Sequence, residues 1–185
     1  MKQLSVEAPE LSRPLSVDKI STGGMVERIV ARPNERKALM VRFGLLDLSR
    51  LEADLSIDHA RDRMLTVTGS FVADVVQQCV VTLEPIPVRV TDKIDIIFAP
   101  PHLLDKGAGS PHFDSGEEEA PEPIVNGEID LGELVAQHLA VALDPYPRKP
   151  DAALPDAACA PEADSPDNVI NPFARLAALK DIERK

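Results

Sequence analysis

At 185 residues, 44% hydrophobic and 28% charged, the chain is long enough for one domain with a real core and too apolar to stay disordered. No run approaches the roughly 18 apolar residues that span a bilayer, and the opening MKQLSVEAPELSRP lacks an apolar leader, so no membrane attachment and a cytoplasmic location are expected. The net charge of −11 is uneven: residues 1–65 hold 11 Lys and Arg against 10 Asp and Glu, while residues 66–185 hold 9 against 21, which opposes phosphate binding there and suits a basic protein partner.

The first elements read as short strands at Leu15–Val17 and Met25–Ala31, around the turn signal Gly23-Gly24. Pro33 is well placed in a first helical turn, so a helix is expected over 33–43, with Leu39 and Phe43 on one face and Gly44 as its stop. Next, Leu51, Ala53, Leu55 and Ile57 alternate with Glu52, Asp54, Ser56 and Asp58, the pattern of a half-buried antiparallel strand. His59 takes an inward position at its end. Arg61-Asp62-Arg63 reads as a turn, and Met64 to about Val81 as a long strand with a bulge or bend at Gly69. After a turn at 83–87, Ile86, Val88, Val90, Ile94, Ile96 and Phe98 fall on one face of a strand.

Residues 100–127 hold five prolines and the run Glu117-Glu118-Glu119, and read as an acidic loop. Asp130 is a fitting N-cap with Glu133 three residues on, a capping-box pattern that opens a helix within 128–143. Leu131, Leu134, Val135, Leu139 and Ala142 form its apolar stripe. Residues 144–168, with six prolines, read as a second loop, and Asn171-Pro172 as the cap and first position of a last helix to 182, with Phe173, Leu176 and Ala177 on its apolar face. The expected fold is therefore α+β in a single domain. Residues 15–99 would form a sheet-rich core, an antiparallel meander or partly closed barrel of five or six strands, with three packed helices.

Little here signals catalysis. Phosphate-cradling glycine loops, nucleophile elbows and HExxH are all missing. An enzyme would need scattered acids such as Asp74, Asp92 and Asp95 to converge. Two cysteines, Cys79 and Cys159, and four unpaired histidines cannot supply a four-ligand zinc site at any standard spacing. Neither a cofactor nor a small-molecule substrate is indicated. The one local concentration of positive charge is Arg28, Arg32, Arg36, Lys37 and Arg42 around the first helix, a candidate partner or rRNA contact, although interspersed acids also fit a solvated face.

Three ordered blocks carry a resemblance: Gln78 to Ile86 (QCVVTLEPI), Glu128 to Pro150 (EIDLGELVAQHLAVALDPYPRKP) and Asn171 to Lys180 (NPFARLAALK). From about residue 15 to 180 the chain resembles the YceD family, the large-ribosomal-RNA-subunit accumulation proteins, in its alphaproteobacterial form. The matching positions are Cys79, Leu83, Glu84, Pro85, Asp130, Leu131, Asn171, Pro172 and Phe173. Relatives carry Cys-x-x-Cys in the first block, a pattern suited to zinc, whereas this chain has Thr82 at the second position. The resemblance implies a non-enzymatic factor for 23S rRNA accumulation, acting in processing or early assembly by contacting a ribosomal protein or pre-rRNA. A metal-dependent RNA-processing enzyme and a direct RNA-binding module are the alternatives. The second suffers from the scarcity of aromatic stacking platforms.

Overall fold

In the computed structural model, residues 9–104 and 120–153 are described. The elements run β1 (Pro14–Ser16), β2 (Met25–Val30), α1 (Pro33–Phe43), β3 (Asp47–His59), β4 (Leu65–Gln78), β5 (Pro85–Ala99), α2 (Pro101–Leu104), β6 (Glu122–Pro123), β7 (Glu128–Asp130) and α3 (Leu131–Ala142). All belong to one compact unit that ends at Pro150. The fold is α+β. Strands β2-β3-β4-β5 form an antiparallel meander, to which β6 adds in parallel beside β5, and β1 pairs with β7 in a separate two-stranded sheet. The larger sheet stays open, so of the two expected forms it takes the meander.

Alternation decides the inner face. Leu51, Ala53, Leu55 and Ile57 of β3, Leu65, Val67, Phe71, Ala73 and Val75 of β4, and Val90, Ile94 and Phe98 of β5 are buried together. They pack with Leu39 of α1 and with Leu131, Leu134, Val135 and Leu139 of α3. The apolar stripe expected of β5 is only partly covered. Ile86 and Ile96 are half-buried and Val88 is exposed. His59, expected to face inward, is exposed, with its Nε2 3.3 Å from the Ile20 carbonyl oxygen.

Gly69 is not a bulge. The ladder runs unbroken through it, with Leu55 on one side and Ile94 on the other, and the irregularity lies in β3 between Leu48 and Arg50. A methyl group at Gly69 would collide with the Asp54 carbonyl oxygen and the Leu55 side chain, so the glycine permits close approach of β3. Gly132, in the first turn of α3, has the same role. A Cβ there would lie 2.7 Å from the Leu11 carbonyl oxygen and 2.9 Å from the Arg13 nitrogen.

The helix ends follow from capping chemistry. Gly44 closes α1 in the left-handed region at φ 63°. Asp130 caps α3: its Oδ1 accepts from Gly132 N at 3.0 Å and Glu133 N at 3.2 Å, and also from Arg13 N at 2.7 Å. The reciprocal half of the capping box is not made. The Glu133 carboxylate instead accepts from both Arg42 guanidinium nitrogens at 2.9 and 3.1 Å, a charge-assisted pair that outcompetes a backbone donor. At α1 the third-position acid does reach back, with Glu35 Oε2 accepting from Arg32 N at 2.7 Å. Part of the 100–127 segment forms α2 and β6, which composition did not suggest. The helix expected over 171–182, with Asn171, Pro172 and Phe173, lies outside the described residues.

Two outcomes follow. Gly69→Ala and Gly132→Ala should each destabilise by about 1–3 kcal/mol through overpacking. Gly23→Ala, with open space around it, should stay within about 0.5 kcal/mol. Urea midpoints of the three variants check this, and a neutral Gly69→Ala would disprove the close approach. The second outcome concerns pH. Arg13 holds the Glu35 carboxyl below its ordinary value of 4.5, so the pair's contribution is complete above that value and is lost as pH falls through the lowered one. Glu35→Gln should cost about 1 kcal/mol at pH 7, and the gap to wild type should close in strong acid. Thermal melts at a series of pH values read both.

Candidate functional site

The β4–β5 hairpin closes through residues 79–84, where backbone and side-chain hydrogen bonds both cross the turn. Cys79 N donates to the Glu84 carbonyl at 2.8 Å and Leu83 N to the Cys79 carbonyl at 2.9 Å. Gln78 Nε2 donates to the Leu83 carbonyl at 3.1 Å. The turn needs a left-handed residue, and Leu83 supplies it at φ 61°, at a cost of roughly 1–2 kcal/mol relative to a relaxed backbone.

The segment after α3 is stitched onto this turn. Val80 N donates to the Pro147 carbonyl at 2.9 Å, and the buried Gln77 donates through Nε2 to the Asp144 carbonyl at 2.9 Å. Lys149 Nζ reaches Glu84 Oε2 at 2.8 Å, and the Thr82 hydroxyl donates to the same oxygen at 3.1 Å. Lys149, then Thr82, hold the Glu84 carboxyl below its ordinary value. Residues 144–149, read from composition as the start of a proline-rich loop, are thus fixed to the hairpin at three points.

Three large apolar side chains are left on the surface of this tip. Val80 is 44% exposed, Leu83 65% and Tyr146 73%. Beside them, Ile86, Val88, Val90, Ala142 and Pro147 line a cleft of about 530 Å³.

Cys79 is fully buried beneath the turn, with Thr82 N donating to its Sγ at 3.5 Å. Hydrogen bonds from Thr82, and then from the backbone of Lys149, draw its thiol down to about 6 against the opposing effect of burial. The thiol therefore organises the turn from inside. Thr82 serves as its donor.

Other candidate residues are dispersed. Arg28 lies on the outer sheet face, 3.0 Å from Glu52 and 3.9 Å from Asp54. Arg36 donates to the Ala31 carbonyl at 2.7 Å. Arg42 pairs with Glu10 and Glu133, both at 2.9 Å, and lies 5.4 Å from the centre of the Phe43 ring. Arg32 and Lys37 are exposed and take no part in an ion pair among the described residues. Asp74 is bound by Arg89 at 2.6 Å on the outer face. Asp95 shares that face, but Asp92 falls on the other, so the three acids do not converge. No three His, Cys, Asp or Glu side chains are grouped to hold a metal ion among the described residues.

A family model described as "Large ribosomal RNA subunit accumulation protein YceD" matches residues 67–180. The chain belongs to the YceD family. Membership places it in the accumulation of large-subunit rRNA. The matched stretch contains the hairpin tip, Asp130 and the 144–149 segment, whereas all five cations of the basic cluster precede it. No curated protein and no solved structure matches the chain. No helix among the described residues is long and apolar enough to cross a membrane.

The exposed tip can be separated from stability. Leu83→Gly should keep the fold and raise its stability by up to about 1 kcal/mol, since it relieves the left-handed leucine and removes little buried surface. Gln77→Ala should destabilise by about 1–2 kcal/mol by leaving the Asp144 carbonyl without its donor. Denaturant titration of both variants decides. A large loss from Leu83→Gly would mean that the leucine side chain packs.

Proposed function

We propose that this YceD-family protein is a non-enzymatic cytoplasmic factor for 23S rRNA accumulation, acting in rRNA processing or early assembly by contacting a ribosomal protein or pre-rRNA. The observation that carries this reading is the meeting of two segments more than 60 residues apart in sequence at the β4–β5 tip. Their hydrogen bonds hold Val80, Leu83 and Tyr146 in solvent, where an isolated chain gains nothing from them. Both segments lie in the matched stretch. A binding surface, rather than a set of convergent acids, is what these residues build. The exposed Arg32 and Lys37, with Arg36, form a second, electrostatic contact in this reading.

Deleting the gene should lower mature large-subunit rRNA or delay large-subunit assembly, and a wild-type copy should restore it. Leu83→Gly combined with Tyr146→Ser should fail to restore it despite normal folding. Asp74→Ala, Asp92→Ala and Asp95→Ala should each complement fully. Charge reversal at Arg32, Arg36 and Lys37 together should weaken co-sedimentation with ribosomal particles, with the largest difference from wild type at low salt, where the contact is least screened. Northern blots and sucrose gradients supply the readout. Normal rRNA and normal gradients in the deletion strain would sink the proposal. Abrupt loss from one aspartate, with the fold intact, would point to catalysis instead.

A further inference from the structure

A second groove, of about 400 Å³, lies between the β6–β7 segment and α3. Its apolar walls include the buried Phe98, Ile129 and Leu134, and Val125 stands beside them 59% exposed. Its polar lining is one-signed: Glu122, Glu128, Asp130 and Glu133 contribute carboxylates, and no Lys, Arg or His lines it. Two of the four are already committed within the fold. Asp130 caps α3, and Glu133 is held by Arg42. Glu122 and Glu128 enter no ion pair among the described residues. Asp18, Glu27, Asp47, Asp58, Asp62, Asp92 and Asp95 are likewise outside any ion pair among the described residues, so what sets Glu122 and Glu128 apart is the apolar groove beside them. The groove thus joins an apolar floor to unmatched negative charge.

We infer that this groove binds an extended Lys- or Arg-bearing segment of a protein partner. The inference rests on the proposed function and adds the chemistry of the partner. Lysine and arginine suit such a groove because their aliphatic stems can lie on apolar walls while their charged heads reach the rim. Here the stems would lie on the exposed Pro14, Pro123 and Val125, above the buried Phe98, Ile129 and Leu134, and the heads would meet Glu122 and Glu128. The occupant is a peptide rather than RNA, because the same carboxylates repel phosphates. The chain's net charge of −11 favours encounter with a basic partner.

The probe is a fluorescein-labelled ten-residue peptide of alternating Lys and Val, titrated into the full chain at low salt and followed by anisotropy and by backbone NMR shifts. Saturable binding with shifts centred on Phe98 and Glu122–Asp130 is expected. Glu122→Gln with Glu128→Gln should weaken it by about tenfold, the combined effect of two exposed ion pairs. Asp18→Asn with Asp95→Asn removes equal charge elsewhere and should leave it nearly unchanged. Shifts outside the groove, an equal loss in both double variants, or tighter binding there of a ten-residue oligouridylate would each overturn the inference. Complementation of the deletion strain separates the two readings. Full rescue by the Glu122/Glu128 double variant removes the groove as the partner contact and leaves the rRNA role standing. Normal rRNA in the deletion strain removes that role, whatever the peptide does.

Discussion

The register of β4 against β5 governs the rest of the molecule. All fourteen residues of β4 are paired, from Leu65 opposite Phe98 to Gln78 opposite Pro85, without a slip. Side chains alternate across a strand, so a shift of one residue would put Phe71 and Val75 in solvent and Asp74 in the core. The same register sets where the ladder runs out, and so sets the hairpin tip. Gly69 lets β3 lie close enough to β4 for the second side of the ladder to form.

Charge is used mainly to fasten elements that the core alone would leave loose. Arg13 ties the segment before β1 to Glu35 of α1, and Arg42 ties α1 to Glu133 of α3 and to Glu10. Each is a bidentate or two-partner contact, the geometry in which a half-exposed ion pair contributes most. Basic residues near α1 are thereby divided. Arg13 and Arg42 hold the fold, while Arg32 and Lys37 face solvent.

What the sequence made legible was local. Pro33 and Gly44 bracket α1, the alternation from Leu51 to Ile57 marks the inner face of β3, and Asp130 marks the start of α3. Each signal acts through neighbours within a few residues. The misreadings have the opposite character. Gly69 looked like a bulge because a lone glycine cannot reveal that another strand's backbone presses on it. Glu133 looked like half of a capping box because its actual partner, Arg42, is 91 residues away. β6 has two residues, one a proline, and carries no pattern. For the candidate site, resemblance marked both the QCVVTLEPI block and residues 144–149 at the end of the second block, but not that the two meet. Prolines in 144–149 suggested a loop, and nothing local to that loop shows that Pro147 accepts from Val80.

That last contact bears on the order in which the molecule takes shape. The β4–β5 hairpin is a local structure and can form once residue 99 has been made. Its tip is finished only when Asp144, Pro147 and Lys149 arrive, after α3 has been built. Closing a loop of that length is slow relative to forming a hairpin. During synthesis the chain therefore passes through a stage with a meander already paired and a tip still unstitched. The finished tip is a report that translation has passed residue 149.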